Sequence, residues 1–371
     1  MKIGVLADRI GTEAGGLESY ESGLIRGLMQ IDKDNRYIVY CSDENAVQSF
    51  CGSQENFSIK QVSGGSKVIR LALTMPFSLL KDRLDAFHVC MVPPVFSPTN
   101  YVMTVHDLCP FIKPELFPSH ILRRLTLFLK KGIEKALHII TVSEATKRDI
   151  INCFGVDENK ITVAHLGVNR QYKPVNDKEA IDHVIGKYGI SRPYILYVGK
   201  IQARKNVIRL LQAFKYLKEK IRIEHKLVMV GKHMWESSNL ADELDGKQDD
   251  IIMTGHADVA DLPFLYNGAD CFVYPSLFEG FGIPPLESMA CGVPTVISNT
   301  TSLPEVAGDS SIYVDPLDIT SISGGIERVL SSSELQQELR QKGLIRAAEF
   351  TWDKTAQKTL EVYRQLAKSK Q

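Results

Sequence analysis

What most limits the fold of this chain is a rhythm that runs, stops and starts again. From residue 1 to about 168, short apolar runs alternate with amphipathic stretches. "KIGVLAD", "YIVYCS", "FSIKQV", "AFHVCMV", "YVMTVHD", "LHIITVS" and "KITVAHL" read as buried strands. After the first of them, "GLESYESGLIRGLMQ" carries Leu17, Tyr20, Leu24 and Leu28 at helical spacing. Ser143 opens "SEATKRDIINCFG" as an N-cap, and Gly155 stands where that helix must stop. "NRQYKPVNDKEAIDHVIGKYGISRP" then breaks the rhythm: it is polar, holds one short helix, and its beginning reads as an interdomain linker. The alternation resumes with "YILYVGK", "KLVMVGK", "DIIMTGH", "DCFVYPS", "PTVISN" and "SIYVD" as strands. "KNVIRLLQAFKYLKEK", "DLPFLYNGA" and "PPLESMAC" are the helices between them, and from about Ile319 the chain reads as helix throughout.

Strand, helix, strand order of this kind requires parallel sheets with helices on both faces. A chain of 371 residues is also too long for one ordinary core. The expected fold is α/β, with two doubly wound, Rossmann-like domains facing one another across a cleft. Ligands in such sheets bind beyond the carboxyl ends of the strands. The chemistry is therefore sought in motifs at strand ends.

The richest of these is "YPSLFEGFGIPPLESMACGVPTVIS", residues 274–298. Pro284 and Pro285 suit the first turn of a helix, where a missing N–H costs nothing. Gly280 and Gly282 let the backbone turn sharply and approach a ligand. The helix start favours an anion. Glu279 precedes it and Glu287 lies about one turn inside, so both carboxylates can grip the paired hydroxyls of a sugar or a ribose. A second motif, "YVGKIQARKN", places Lys200, Arg204 and Lys205 between a strand and a helix, which suits a diphosphate. A third, "GTEAGGLESY", is a glycine-rich loop without the full dinucleotide or P-loop pattern; Gly15 and Gly16 can offer backbone to a phosphate or serve as a plain turn. A fourth, "MTVHDL", ends a strand with His106 and Asp107, although a lone histidine is more often structural.

Composition and patterning exclude several classes. Basic and acidic side chains balance at 44 each, so no global field favours nucleic acid. Seven cysteines without a CxxC pair indicate neither a zinc site nor a disulfide framework, but buried thiols in a reducing cytoplasm. "MKIGVLADRI" meets charge at Asp8 and reads as a first strand rather than a signal peptide or membrane span. Asp32 and Asp34 make a DxD-like triplet, but "QIDKDNRY" reads as a surface turn without companion ligands, so no metal is expected.

Together the motifs resemble the retaining glycosyltransferases of family 4, which have the GT-B fold. The likeness runs from the glycine loop to "FTWDKTAQ" and is strongest from Tyr194 to Glu305, where the two glutamates match the E-x7-E signature. The resemblance implies that Glu279 bonds donor-sugar hydroxyls and Glu287 holds the ribose. Backbone N–H groups of Phe281, Gly282 and Ile283 would meet the sugar and phosphates. Arg204 and Lys205 would neutralise the diphosphate, Gly15 and Gly16 would close over it, and His106 would touch the sugar near the reacting carbon. The base would lie near Thr254, Gly255 and His256. It also implies an acceptor-side domain at 1–170, completed by a helix at about 355–371, and a nucleotide-sugar domain at 171–354. Leu360, Tyr363 and Leu366 would be that helix's apolar contacts.

The expected activity is a retaining, metal-independent hexosyl transfer from a nucleotide-diphosphate sugar, with no cofactor beyond that co-substrate. "RKN" and "GFGIPPLES" resemble bacterial polysaccharide mannosyltransferases and favour GDP-mannose, with UDP-sugars and deoxysugar donors as alternatives. The acceptor is expected to be a growing glycan on a lipid carrier, at the inner face of the plasma membrane. One rival is a GT-B epimerase or hydrolase, which would consume donor without an acceptor. The other is a non-catalytic partner subunit, against which the intact Glu279, Arg204, Lys205 and Glu287 argue. The segment 119–138 can form a helix with a basic face of Arg123, Arg124, Lys130, Lys131 and Lys135. That face suits peripheral contact with anionic lipid, or it is simply the solvated side of a core helix.

Overall fold

The seven runs of the first rhythm form β1 (Lys2–Leu6), β2 (Arg36–Cys41), β3 (Phe57–Gln61), β4 (Ala86–Val89), β5 (Tyr101–Val105), β6 (His138–Thr141) and β7 (Ile161–Val163). The second set forms β8 (Tyr194–Val198), β9 (Lys226–Val230), β10 (Ile251–Gly255), β11 (Cys271–Tyr274), β12 (Thr295–Ser298) and β13 (Ser311–Val314). The structure is a computed structural model that describes residues 1–12, 15–51, 54–62, 69–232 and 249–368. All pairings are parallel, in the orders β3-β2-β1-β4-β5-β6-β7 and β10-β9-β8-β11-β12-β13. Each order reverses direction between its first strand and its fourth. That reversal leaves a crevice at the carboxyl edge, where neighbouring loops diverge to opposite faces. The chain divides into Met1–Gly167 with Thr351–Gln371, and Val168–Phe350.

In the first unit the helix Gly16–Ile31 buries Tyr20, Leu24 and Leu28, as their spacing requires. It packs closely on the helix Trp352–Lys368. Two glycines allow this: a Cβ on Gly23 would stand 2.2 Å from the Trp352 ring, and one on Gly27 2.5 Å from the Trp352 carbonyl oxygen. Leu360 and Tyr363 are buried and Leu366 half-buried. Tyr363 joins β4 through a buried bond of 2.6 Å between its hydroxyl and His88 Nδ1, and His88 Nε2 lies 2.7 Å from Thr104 Oγ1. On the opposite side of the sheet one apolar cluster gathers Leu71, Met75 and Leu79, Leu129 and Ile133, and Ile150. These come from the segment 70–82, the helix Ser119–Lys135 and the helix Glu144–Phe154. Ser143 caps the last of these through the Thr146 N–H, and Gly155 ends it at φ 62°.

Two sequence readings need correction. The segment after residue 168 is not a linker. The chain crosses at Gly167, and the residues beyond it are tied into the second unit: Val175 N–H donates to Asn267 Oδ1 at 2.8 Å, and Asn267 Nδ2 donates to the Lys173 carbonyl at 3.0 Å. Tyr172 is buried edge-on to Tyr266, with ring centroids 5.8 Å apart. The segment looks like a linker because a distant amide, absent from its own composition, satisfies its backbone. Asp32, in turn, is not on a surface turn. It is buried and accepts from the Asp34 and Asn35 N–H groups, from Asn35 Nδ2 at 2.6 Å and from the Tyr37 hydroxyl. Burial would raise its pKa, but these bonds outweigh it and hold the carboxyl below its usual range. Its work is to fasten the end of a helix to β2.

The helix Ser119–Lys135 buries Leu129, Gly132 and Ile133 and exposes Arg123, Arg124, Lys130, Lys131 and Lys135. Among the described residues, no helix is long and apolar enough to cross a membrane.

Candidate active site

In the second unit the crevice lies between β8 and β11, and the two richest sequence motifs leave the sheet there. The loop after β8 is fixed by its backbone, with Gly199 N–H donating to the Val230 carbonyl at 2.8 Å. It then makes a single tight turn, Ala203–Lys205, and enters the helix Val207–Tyr216 through Asn206, which is left-handed at φ 59°. Asn206 is buried and donates from Nδ2 to the Pro275 carbonyl (2.9 Å) and the Pro316 carbonyl (2.6 Å). Leu277 N–H donates to the Arg204 carbonyl at 2.9 Å. The loop that carries the cations is thus stitched to the loop that follows β11.

That stitching brings the charges together. Lys205 Nζ lies 2.6 Å from Glu279 Oε1, and Arg204 Nη1 lies 3.7 Å from Glu279 Oε2. Lys205 is 8% exposed and Glu279 6%, so this is an interior cluster. Lys205 also donates to the Tyr274 hydroxyl and sits 4.7 Å from the centre of that ring. Burial alone would raise the Glu279 pKa. Lys205 and then Arg204 outweigh it and keep the carboxyl below the ordinary range. Two cations against one carboxylate leave a net positive charge at the crevice, which suits an anion.

The loop carrying Glu279 is held from below. Glu279 N–H donates to Thr301 Oγ1 at 3.1 Å, and Ser302 Oγ stands 3.0 Å from both the Glu279 and the Phe281 carbonyl oxygens. The Phe281 ring is buried edge-on to Phe350 at 5.7 Å. Gly282 has φ 110°, and a Cβ there would stand 2.6 Å from Leu303 Cδ2, so glycine is required twice over. The helix Ile283–Ala290 begins at once, with prolines in its first turn. Because Pro284 and Pro285 have no N–H, the helix start offers its donors through Gly282 and Ile283.

Glu287 lies in this helix and is buried. Its Oε2 accepts from the Tyr266 hydroxyl at 2.9 Å. Burial pushes its pKa up to about 7, against hydrogen bonds from Tyr266 and Tyr172. The two glutamates thus differ in kind: Glu279 is held ionised beside cations, and Glu287 titrates near neutrality among tyrosines. Gly255 ends β10, the outer strand of the sheet, and its carbonyl accepts from Gly231 N–H at 2.7 Å. Two strands stand between it and β11, about 14 Å across at ordinary strand spacing.

In the first unit Gly15 caps the helix Gly16–Ile31 at φ 71°. Two acids of that helix hold the loop before it: Glu18 accepts from Gly11 N–H and Glu21 from Arg9 N–H, each at 2.8 Å. The neighbouring Tyr20 meets the His106 ring edge-on at 4.7 Å and bonds Thr104 Oγ1 at 2.8 Å. His106 follows β5, and its Nε2 lies 3.1 Å from the Cys90 carbonyl oxygen. A carbonyl only accepts, so Nε2 carries the proton and Nδ1 keeps a lone pair. Burial pushes the pKa down to about 4, against Asp107 and the Cys90 carbonyl, so the ring is neutral at pH 7.

The second unit therefore brings together Arg204, Lys205, Glu279, Phe281, Gly282, Ile283 and Glu287, and sets Gly255 apart at the sheet edge. The first unit joins the glycine loop and His106 through one helix. Sequence reasoning gave no role to Asn206, Thr301, Ser302, Tyr266 or Tyr172. The available signal was slight: an asparagine just before a helix, and Thr301 at φ 57° in a Thr-Thr-Ser run. Among the described residues, no group of three His, Cys, Asp or Glu side chains is arranged to hold a metal.

Comparison with known proteins is consistent in both units. Residues 180–346 match the family described as Glycosyl transferases group 1, and residues 14–172 match Glycosyltransferase Family 4. O-antigen chain mannosyltransferase B of Escherichia coli is 36% identical over 268 residues, 71% of this chain and 70% of its own. Serotype-specific mannosyltransferase WbdA of Escherichia coli is 28% identical over 330 residues, 85% of this chain but only 40% of WbdA. Among solved structures, sucrose-phosphate synthase of Thermosynechococcus elongatus superposes with a TM-score of 0.78 at 19% identity, covering 100% of both chains, and shares the GT-B fold.

Proposed function

The chain belongs to glycosyltransferase family 4, and from that premise we propose that it moves mannose from GDP-mannose onto a growing, lipid-linked surface glycan. The observation that carries the reading is the Arg204–Lys205–Glu279 cluster at the start of the helix Ile283–Ala290. Leaving-group departure places negative charge on the diphosphate. Arg204, Lys205 and the N–H groups of Gly282 and Ile283 answer that charge without a metal. Glu279, ionised by its neighbours, accepts from donor-sugar hydroxyls, and Glu287 accepts from the ribose. His106, in the first unit, is neutral, and its Nδ1 lone pair can accept from a sugar hydroxyl. Gly15 and Gly16, in the first unit, can offer backbone N–H groups to a phosphate. The new bond forms on the face the leaving group vacates, and configuration is retained.

Mannose as the sugar is supported by the two Escherichia coli mannosyltransferases to which the chain is similar. The lipid carrier and the inner face of the membrane as the place of work are part of the same proposal. The test is a thermal-shift panel of GDP, UDP and ADP and their sugars, followed by nucleotide release with and without a mannosyl acceptor glycan. Stabilisation by GDP and acceptor-dependent release of GDP are expected. Release without acceptor would mark a hydrolase or epimerase, and stabilisation by UDP alone would remove GDP-mannose.

A further inference from the structure

The segment 70–82 of the first unit is apolar on two opposite sides. Leu71, Met75 and Leu79 point into the core. Leu73, Phe77 and Leu80, offset from them by nearly half a helical turn, are 57%, 71% and 57% exposed. A helix apolar all round normally has both sides covered. The patch widens across the neighbouring loop, where Val95 and Phe96 are 61% and 62% exposed and Val95 N–H donates to the Leu71 carbonyl at 3.1 Å. Scattered exposed leucines need no explanation, but a gathered set that includes two phenylalanines marks a contact surface.

The charges around it indicate the partner. The helix Ser119–Lys135 packs into the same apolar cluster on the same side of the sheet. It touches the loop that leads to Val95, since a Cβ on Gly132 would stand 3.1 Å from Pro93 Cδ. Its outward face carries Arg123, Arg124, Lys130 and Lys131 around an exposed Leu127, and Lys81 and Arg83 flank the patch on the other helix. The acids of these two elements are paired with lysines: Asp82 with Lys60 at 2.6 Å, Glu134 with Lys130 at 3.9 Å. An apolar centre within a cationic rim is the pattern of a surface that enters the interface of an anionic bilayer.

We propose that Leu73, Phe77, Leu80, Val95 and Phe96 insert among anionic lipids while the basic face of Ser119–Lys135 rests on their headgroups. The inference deepens the reading of a lipid-linked acceptor and rests on it for the choice of a bilayer over another partner. The contact is peripheral and needs both components. The basic helix named by the sequence is its rim, and the centre lies on an element the sequence did not single out.

The test is co-sedimentation of the full chain with phosphatidylglycerol–phosphatidylethanolamine vesicles and with phosphatidylcholine vesicles. Wild type, Leu73→Ser/Phe77→Ser/Phe96→Ser and Arg123→Ser/Arg124→Ser/Lys131→Ser are compared. All six positions are exposed, and unchanged thermal midpoints serve as the control for folding. Wild type is expected to bind anionic vesicles, and each triple variant to lose about tenfold or more in partitioning, with the wild-type contact weakening in high salt. Transfer to a water-soluble acceptor is expected to be unchanged in both variants, so this result stands apart from the proposed activity. Equal binding of wild type and the apolar variant, no wild-type binding, or a wild-type dimer in solution that the apolar variant abolishes would each overturn the proposal.

Discussion

The Lys205 ammonium and the Glu279 carboxylate meet at 2.6 Å although 74 residues separate them in the chain. Each follows a strand at the place where the second sheet reverses its order, and the Arg204 carbonyl and Asn206 amide lock the two loops together. The pair therefore depends on topology, and it has energetic consequences as well as chemical ones.

Removing one partner of a buried ion pair leaves the other uncompensated, at a cost of about 3–5 kcal/mol. Lys205→Ala is therefore expected to lower the thermal midpoint by on the order of 10 °C and to weaken nucleoside-diphosphate binding. Lys205→Met combined with Glu279→Gln should recover most of the stability but not the binding. Calorimetry and titration of Lys205→Met, Glu279→Gln and their combination check this; strictly additive losses would mean the two side chains are not coupled.

The two glutamates should separate kinetically. Glu279→Gln is expected to cut turnover by about 100-fold or more while leaving affinity for the free nucleotide nearly intact. Glu287→Gln should weaken nucleotide binding itself. Steady-state kinetics beside nucleotide titrations decide the matter, and the reverse pattern would exchange their roles.

Glu287 also predicts a pH dependence. Its pKa rises from 4.5 in the unfolded chain to about 7 in the fold. The folded state therefore binds the extra proton between those values, and this group's contribution to stability falls as pH rises from about 4.5 to 7 and is level above. The difference is on the order of 3 kcal/mol. In the proposed reading ribose binding needs the Glu287 anion, so nucleotide affinity should move the other way and gain about tenfold from pH 6 to pH 8. Glu287→Gln should flatten both slopes, and unchanged slopes would remove Glu287 as the titrating group. Glu279, with its pKa depressed, contributes stability that is lost only as pH falls below the ordinary carboxylate range.

Gly282 combines φ 110° with a Cβ position 2.6 Å from Leu303 Cδ2. Gly282→Ala should cost about 1–3 kcal/mol of stability and lower turnover by displacing the N–H groups at the helix start. A variant with wild-type kinetics would show that the turn does not position donor-contacting groups.

Activity is expected to survive EDTA, because in the proposed reading Arg204, Lys205 and the N–H groups of Gly282 and Ile283 answer the leaving-group charge. Loss of activity in EDTA, restored by magnesium or manganese, would defeat that expectation.

The sequence disclosed those parts of the fold and the site that follow a local period. Each of the thirteen apolar runs is a strand, Ser143 and Gly155 bound their helix, and Pro284 and Pro285 stand in a first turn. What stayed hidden are pairings between distant segments. Asn206 bonds carbonyls at Pro275 and Pro316, Ser302 holds the loop at Glu279 and Phe281, and Tyr266 reaches Glu287. No spacing rule carries such information, because the partners are adjacent only once the sheet has formed. Asp32 and the segment after Val168 misled for the same reason: polar residues look solvated until the groups that satisfy them are placed.

The second unit is an insertion within the first, and its two ends lie together: Val168 N–H donates to the Phe350 carbonyl at 3.2 Å. On a ribosome this arrangement fixes an order of events. The whole of Val168–Phe350 emerges before Trp352 does, and at roughly 5–20 residues per second its synthesis takes on the order of ten seconds or more. Throughout that time the groove at Gly23 and Gly27 is uncovered and His88 lacks the Tyr363 hydroxyl. The half of the protein that is translated first is therefore the half completed last, and it is the one a nascent-chain chaperone has reason to shield.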